Sequence, residues 1–288
     1  PNGLYALPDT SLVTVTDGVS QTFQEFGLEI LPRTGVPIIR SKDRNAAVRL
    51  IFLPGLGATV SHMGSLVSIL RAFHQLNVSE PSKNDRVTFL RNNFMQNILP
   101  YEIVAFDLPG AYKGPPIEKF ENAIQMSAYI RDVILELNRQ SPKDNIVISR
   151  SGSGSWAMVA SALGAPMKGL VMTASTYPDK KVLRQNMDDI KIHEAAGDYQ
   201  ADWNVLDRYV STSLDPKFKR ALSIAARSNL RILSIIGQED GQASLRAQRL
   251  WRNVLRTRWR DNYKRKQVII PGTGHFVYKQ TNNEPASW

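Results

Sequence analysis

The serines of NIVISRSGSGSW, residues 145–156, are the groups in this chain best placed to do chemistry. The β-branched run Ile146, Val147, Ile148 has the composition of a buried strand, and Ala157 to Leu163 reads as a helix. A serine at a strand-to-helix corner is strained and exposed: the turn lifts its hydroxyl toward a base, and unpaired N–H groups at the helix start can hold an oxyanion. The chemistry this suits is acyl transfer through a covalent serine intermediate. The spacing required is small-x-Ser-x-small. Ser149-Arg150-Ser151-Gly152-Ser153 meets it with serine at both flanks, where glycine is usual. A shifted register would make Ser153 the nucleophile. Ser151 is preferred because Ile148 is the last clearly apolar strand residue. A Gly/Ser-rich turn without chemistry is the competing reading of the stretch taken alone.

A serine hydroxyl is a weak nucleophile at neutral pH, so it needs an imidazole to take its proton and a carboxylate to orient that imidazole. The histidines are His62, His74, His193 and His275. Only His275 sits in a glycine-flanked loop directly after a strand, Val268–Ile270 followed by Pro271, Gly272, Thr273 and Gly274. His74 and His193 lie in helical stretches, and His62 reads as a helix-start residue. Carboxylates follow three other strands: Asp107 after Ile103–Phe106, Asp179 after Leu170–Thr173, and Glu239 and Asp240 after Ile232–Ile236. The strand Val48–Leu53 runs into Pro54, Gly55, Leu56 and Gly57, a turn suited to supplying a second oxyanion N–H.

Taken in order, LIFLPGLGA, YEIVAFDLPG, NIVISRSGSGS, ILSIIGQED and VIIPGTGHF resemble the α/β-hydrolase family over residues 25–278. The resemblance implies an α/β fold with a mostly parallel central sheet flanked by helices. It implies a triad of Ser151, Asp240 and His275, with Leu56 and Gly152 N–H groups forming the oxyanion hole. Asp240 is selected over Glu239 as the residue three after Gly237. Asp179 marks an alternative position for the acid, and the Asp107 turn is expected to be structural. The core is expected over 25–175 and 230–288, behind an N-terminal arm (1–24), with a helical cap at 176–229. Trp203, Tyr199 and Tyr209 are then either pocket lining or the core of that cap. Leu28–Arg40 reads as an opening antiparallel hairpin and Leu76–Asn97 as a long connection overhanging the pocket. Only thirteen residues of the 288 follow His275, so the long terminal helix usual in that family is expected to be short or missing. The implied substrate is a small-molecule ester.

A chain of 288 residues with 42% hydrophobic content suits one large α/β domain carrying an insertion. No apolar run reaches the roughly 18 residues needed to span a bilayer, so a soluble protein is expected, cytoplasmic or exported alike. An opening proline fits either methionine removal or a processed form. Cysteine is absent, which excludes disulfides and thiol chemistry, and the isolated histidines lack metal-ligand spacing. No dinucleotide or Walker-type loop occurs, so no cofactor is expected. The net charge of +10 is concentrated in Arg246–Lys266, with nine basic residues and one acid. Leu250, Trp251, Val254, Leu255 and Trp259 recur at helical spacing there, predicting an amphipathic helix whose arginines face outward. Solvation is the ordinary meaning of such a face, and weak attraction to an anionic surface through Arg252, Arg256 and Arg260 the functional one. No nucleic-acid module accompanies it. A non-catalytic binding protein, with Arg150 holding a carboxylate ligand, is the other class left open.

Overall fold

Short runs rich in valine and isoleucine become the strands of one sheet in the computed structural model, which describes residues 26–41, 46–55, 101–111, 114–195, 202–241, 245–256, 265–271 and 274. The strands are β1 (Phe26–Ile30), β2 (Pro37–Ser41), β3 (Val48–Leu53), β4 (Tyr101–Phe106), β5 (Asp144–Arg150), β6 (Gly169–Thr173), β7 (Arg231–Gly237) and β8 (Arg265–Ile270). Their order across the sheet is β1-β2-β4-β3-β5-β6-β7-β8. The expected hairpin is present: β1 pairs antiparallel with β2, and β2 antiparallel with β4. From β4 onward every pairing is parallel. Parallel strands are covered on both faces, which is why β3 and β4 are buried at every position after the first.

Six α-helices occur among the described residues: α1 (Ala123–Gln140), α2 (Ser153–Ala162), α3 (Lys180–Ala195), α4 (Trp203–Ser213), α5 (Pro216–Ala225) and α6 (Leu245–Arg256). Asn122 starts α1 by accepting from the N–H groups of Ile124 and Gln125, both at 3.0 Å. Asn122→Ala leaves those donors without their side-chain acceptor and is expected to lower stability by about 1 kcal/mol, read from a urea melt. Helix α2 is apolar all round and buried from Ser153 through Ala160. One core joins Ile51, Val104 and Val147 of the sheet to Ile130 of α1, Trp156 of α2, Phe218 of α5 and Trp251 of α6. Residues of opposite parity, Phe52, Ile103 and Ile148 among them, form a second cluster on the other face.

One expectation changes in detail. The basic run does not stay helical to Lys266, because β8 opens at Arg265, where pairing with Ile232 of β7 draws Arg265–Gln267 into the sheet. The segment 176–229 holds three helices, and each contributes to the main core: Leu183 of α3, Val205 and Tyr209 of α4, and Phe218 and Leu222 of α5. The N-terminal arm (1–24), the 76–97 connection, His62, His74, Tyr199, Trp259 and Arg260 lie outside the described residues, as does the side chain of His193.

At the edge where the parallel strands begin, Glu102, Arg49 and Asn145 stand in register on adjacent strands β4, β3 and β5. Glu102 is fully buried and takes Arg40 on one carboxylate oxygen, and Arg49 Nε at 2.7 Å and Lys143 Nζ at 3.3 Å on the other. Arg49 also donates to Asn145 Oδ1 at 3.1 Å and to the Ser141 carbonyl, where α1 ends, at 3.0 Å. Burial pushes the Glu102 carboxyl up, but its bonds to Arg40 and Arg49 outweigh that and hold it below its ordinary range. Burial pulls the Arg49 guanidinium down, against the charge of Glu102.

Candidate active site

Ser151 follows β5 directly, and α2 begins two residues later. Its φ is +54°, a left-handed backbone that L side chains adopt at a cost. Its N–H is held by the Thr173 carbonyl at 2.9 Å and its carbonyl by the Ser175 hydroxyl at 2.8 Å, so both β6 and the loop after it fix the corner. The neighbouring serines are spent on backbone. Ser149 donates to Val171, Ser153 to Arg150 at 2.7 Å, and Ser155 to Gly152, and all three are fully buried. Ser151 alone of the four is partly exposed, and its hydroxyl makes no hydrogen bond among the described residues. The shifted register is thereby disfavoured, because Ser153 is a buried cap that also receives the Arg150 N–H at 3.0 Å. At the end of β3, a Cβ added to Gly55 would come within 3.3 Å of Ser151 Cβ, so the turn leading to Leu56 abuts the corner.

The acid candidates differ in what already holds them. Asp179 accepts from the N–H groups of Lys181 and Val182 at the start of α3 and from Arg246 Nε at 2.8 Å. The Arg246 hydrogen bond, opposed by partial burial, holds its carboxyl below the ordinary range. Both functions are structural: a helix cap and a tie between α3 and α6. Asp240 lies in the turn after β7, its N–H reaching the Gly237 carbonyl at 3.4 Å, and only 4% of it is exposed, whereas Glu239 is exposed to solvent. Strands β5 and β7 are separated by β6 alone, an interval of roughly 10 Å that an imidazole inserted between two side chains can span. Leu56 and His275 lie outside the described residues. Among the described residues, no group of acids and histidines has the arrangement of a metal site.

No protein-family model and no curated protein matches the sequence. Solved structures do match its fold. A carboxylesterase from Nitrososphaera gargenis superposes with a TM-score of 0.55 at 11% identity, over 87% of this chain and 92% of that one. A lipase described as putative, from Acinetobacter baumannii, gives 0.54 at 12%, over 89% and 88%. E-2-(acetamidomethylene)succinate hydrolase gives 0.52 at 13%, over 89% and 94%. The chain has the α/β-hydrolase fold.

Within this α/β-hydrolase fold, the loop after β6 is the brace of the corner. Ala174 has a φ of +49°, the other positive value at a non-glycine among the described residues, and its N–H bonds the Ile235 carbonyl at 2.7 Å. Ser175 next to it holds Ser151, and its own carbonyl accepts from the Trp251 indole at 2.8 Å. Thr176 bonds the hydroxyl of Tyr209 at 3.0 Å, which ties α4 to the same loop. Burial pushes the Tyr209 hydroxyl up, against the hydrogen bond it shares with Thr176. Tyr209 therefore belongs to the core, edge-on to Trp156 at 5.7 Å. Trp203 donates to Glu194 of α3 at 2.7 Å. Ser175 carries no motif of its own in the sequence. The signal that points to it is Gly154, whose added Cβ would meet Ser175 Oγ at 2.1 Å. The close approach between helix and sheet thus falls three residues after Ser151, which is how serine is tolerated at 149 and 153. Gly154→Ala must displace Ser175, and we expect a loss of about 1–3 kcal/mol in a denaturant melt.

Proposed function

We propose that the protein is a serine hydrolase that cleaves an ester. The observation carrying this is Ser151, left-handed and partly exposed, while the hydroxyls of Ser149, Ser153 and Ser155 are bonded to backbone and buried. The carboxylesterase, lipase and hydrolase named for the structural neighbours support a hydrolytic reading. Ser151 is the nucleophile, His275 the base and Asp240 the acid that orients it. As the Ser151 oxygen attacks the carbonyl carbon, His275 takes the hydroxyl proton, and the resulting oxyanion is held by the N–H groups of Leu56 and Gly152. The carbon–oxygen bond to the leaving group then breaks, and His275 returns the proton to the departing alcohol. Water, deprotonated by His275, attacks the acyl-enzyme, and release of the acid restores Ser151. Each oxyanion donor contributes about 3 to 4 kcal/mol to lowering the barrier. Helices α3 and α4 act as the cap over this edge of the sheet, the Tyr209–Thr176 bond fastening it to the loop that braces the nucleophile.

The test is reaction of the folded protein with a fluorophosphonate, followed by intact mass and peptide mapping. A single adduct on Ser151 is the expected result. Folded protein that takes up no label overturns the hydrolase reading and favours a non-catalytic binding protein.

A further inference from the structure

Helix α6, LRAQRLWRNVLR, carries four arginines and no acid. Its inner face is fixed by Ala247, Gln248, Trp251 and Leu255, each at most 4% exposed, and by the Trp251 bond to the Ser175 carbonyl. That orientation turns Arg249 and Arg252 outward, both exposed, and their spacing of three sets them on one helical stripe. Arg246 is excluded from the stripe by its ion pair with Asp179. At the start of the helix Leu245 is 63% exposed. Gln267 of β8 faces α6, donating to the Gln248 carbonyl and accepting from Arg252. Two residues on, Ile269 points to the same side and is 39% exposed. Because α6 returns antiparallel to β7 and β8, Ile269 and Leu245 both lie toward the sheet edge that carries Ser151 and Asp240. The surface is therefore apolar at its tip, beside the candidate site, and basic along its flank.

We propose that this surface docks on a lipid bilayer with anionic head groups, and that the site takes a lipid ester from it; the second half rests on the hydrolase reading above. Guanidinium groups pair with phosphate oxygens through two hydrogen bonds at once, and leucine and isoleucine gain by leaving water for the acyl boundary. A face serving solvation alone mixes both charge signs and exposes few large aliphatic side chains. A nucleic acid would satisfy the arginines but offers Leu245 and Ile269 no apolar surroundings.

The experiment is co-sedimentation of the full chain with phosphatidylcholine vesicles, with and without phosphatidylglycerol, alongside turnover of a short soluble ester and of a lipid ester in the vesicles. Binding is expected only to the anionic vesicles, weakening as salt rises. The double variant Arg249→Glu/Arg252→Glu should bind at least about twentyfold more weakly, with lipid-ester turnover falling in parallel and soluble-ester turnover unchanged. Leu245→Ser should weaken binding while leaving its salt dependence intact. Absence of anionic-vesicle binding, equal binding to neutral vesicles, indifference to the charge reversal, or full competition by duplex DNA each overturns the docking surface. Vesicle binding without turnover of either ester upholds docking and overturns the hydrolase reading with its lipid-ester half.

Discussion

Ser151→Ala is expected to lower ester turnover by about three to six orders of magnitude and to abolish fluorophosphonate labelling, while the thermal melt stays close to that of the parent. The expected size follows from the role: without the hydroxyl there is no acyl-enzyme, and only binding and oxyanion stabilisation remain. Alanine keeps the same backbone demands as serine at a φ of +54°, so the substitution removes the oxygen without easing or worsening the turn. Ser153→Ala is the matched control. Its hydroxyl bonds Arg150 on both the N–H and the carbonyl, so its loss should reduce stability and leave labelling at Ser151. A variant pair that behaves the other way round, with label on Ser153, would move the nucleophile and the whole catalytic assignment by half a helical turn.

The second large effect lies at the opposite edge of the sheet. Glu102→Gln preserves shape but withdraws the one negative charge that Arg40, Arg49 and Lys143 share in the interior. Arg49 and Lys143 then lose that charge in the interior, and Arg40 keeps only the longer pairing with Glu29 at 3.4 Å, so a loss of about 3–5 kcal/mol is expected in guanidinium or urea unfolding. The acid dependence has a definite sign. Glu102 titrates below its unfolded value of 4.5 in the folded protein, so its contribution is complete above that pH and is lost as pH falls through the lower folded value. The parent should therefore lose stability in that acid window, and Glu102→Gln should show a flatter profile there. An equally steep profile in the variant would assign the acid sensitivity to other carboxylates.

Much of the sheet is legible in the sequence because its strands are fully buried and announce themselves as β-branched runs. Val48–Leu53 is read with the same bounds it has in the fold, and the other parallel strands to within a few residues. What the strands lack is a signal for charges inside them: Arg49 and Glu102 look like interruptions in apolar runs until the register sets them side by side. Helix α1 escapes the motif pattern, since none of the motifs falls on Ala123–Gln140, although Asn122 before an apolar periodicity is an ordinary start signal. The corner at Ser151 is legible because strain and small residues leave a trace. Its brace is not, because the Ser175 bond joins residues just beyond the ends of two different strands and depends on the packing of α2 against β6. The structural employment of Asp179 is likewise a matter of tertiary partners, Arg246 above all.

The two left-handed residues, Ser151 and Ala174, set adaptation for stability against adaptation for activity. A chain shaped by stability alone would carry glycine at both, since glycine adopts that backbone freely and each L residue there costs roughly 1–2 kcal/mol. At position 174 that exchange would remove only a buried Cβ, the one packed with Ile235 and Ile270. On the role proposed for Ser151, position 151 cannot make it and keep its nucleophile. A programme of stabilising substitutions would on that reading meet a trap at 151, where the more durable protein would be the inert one.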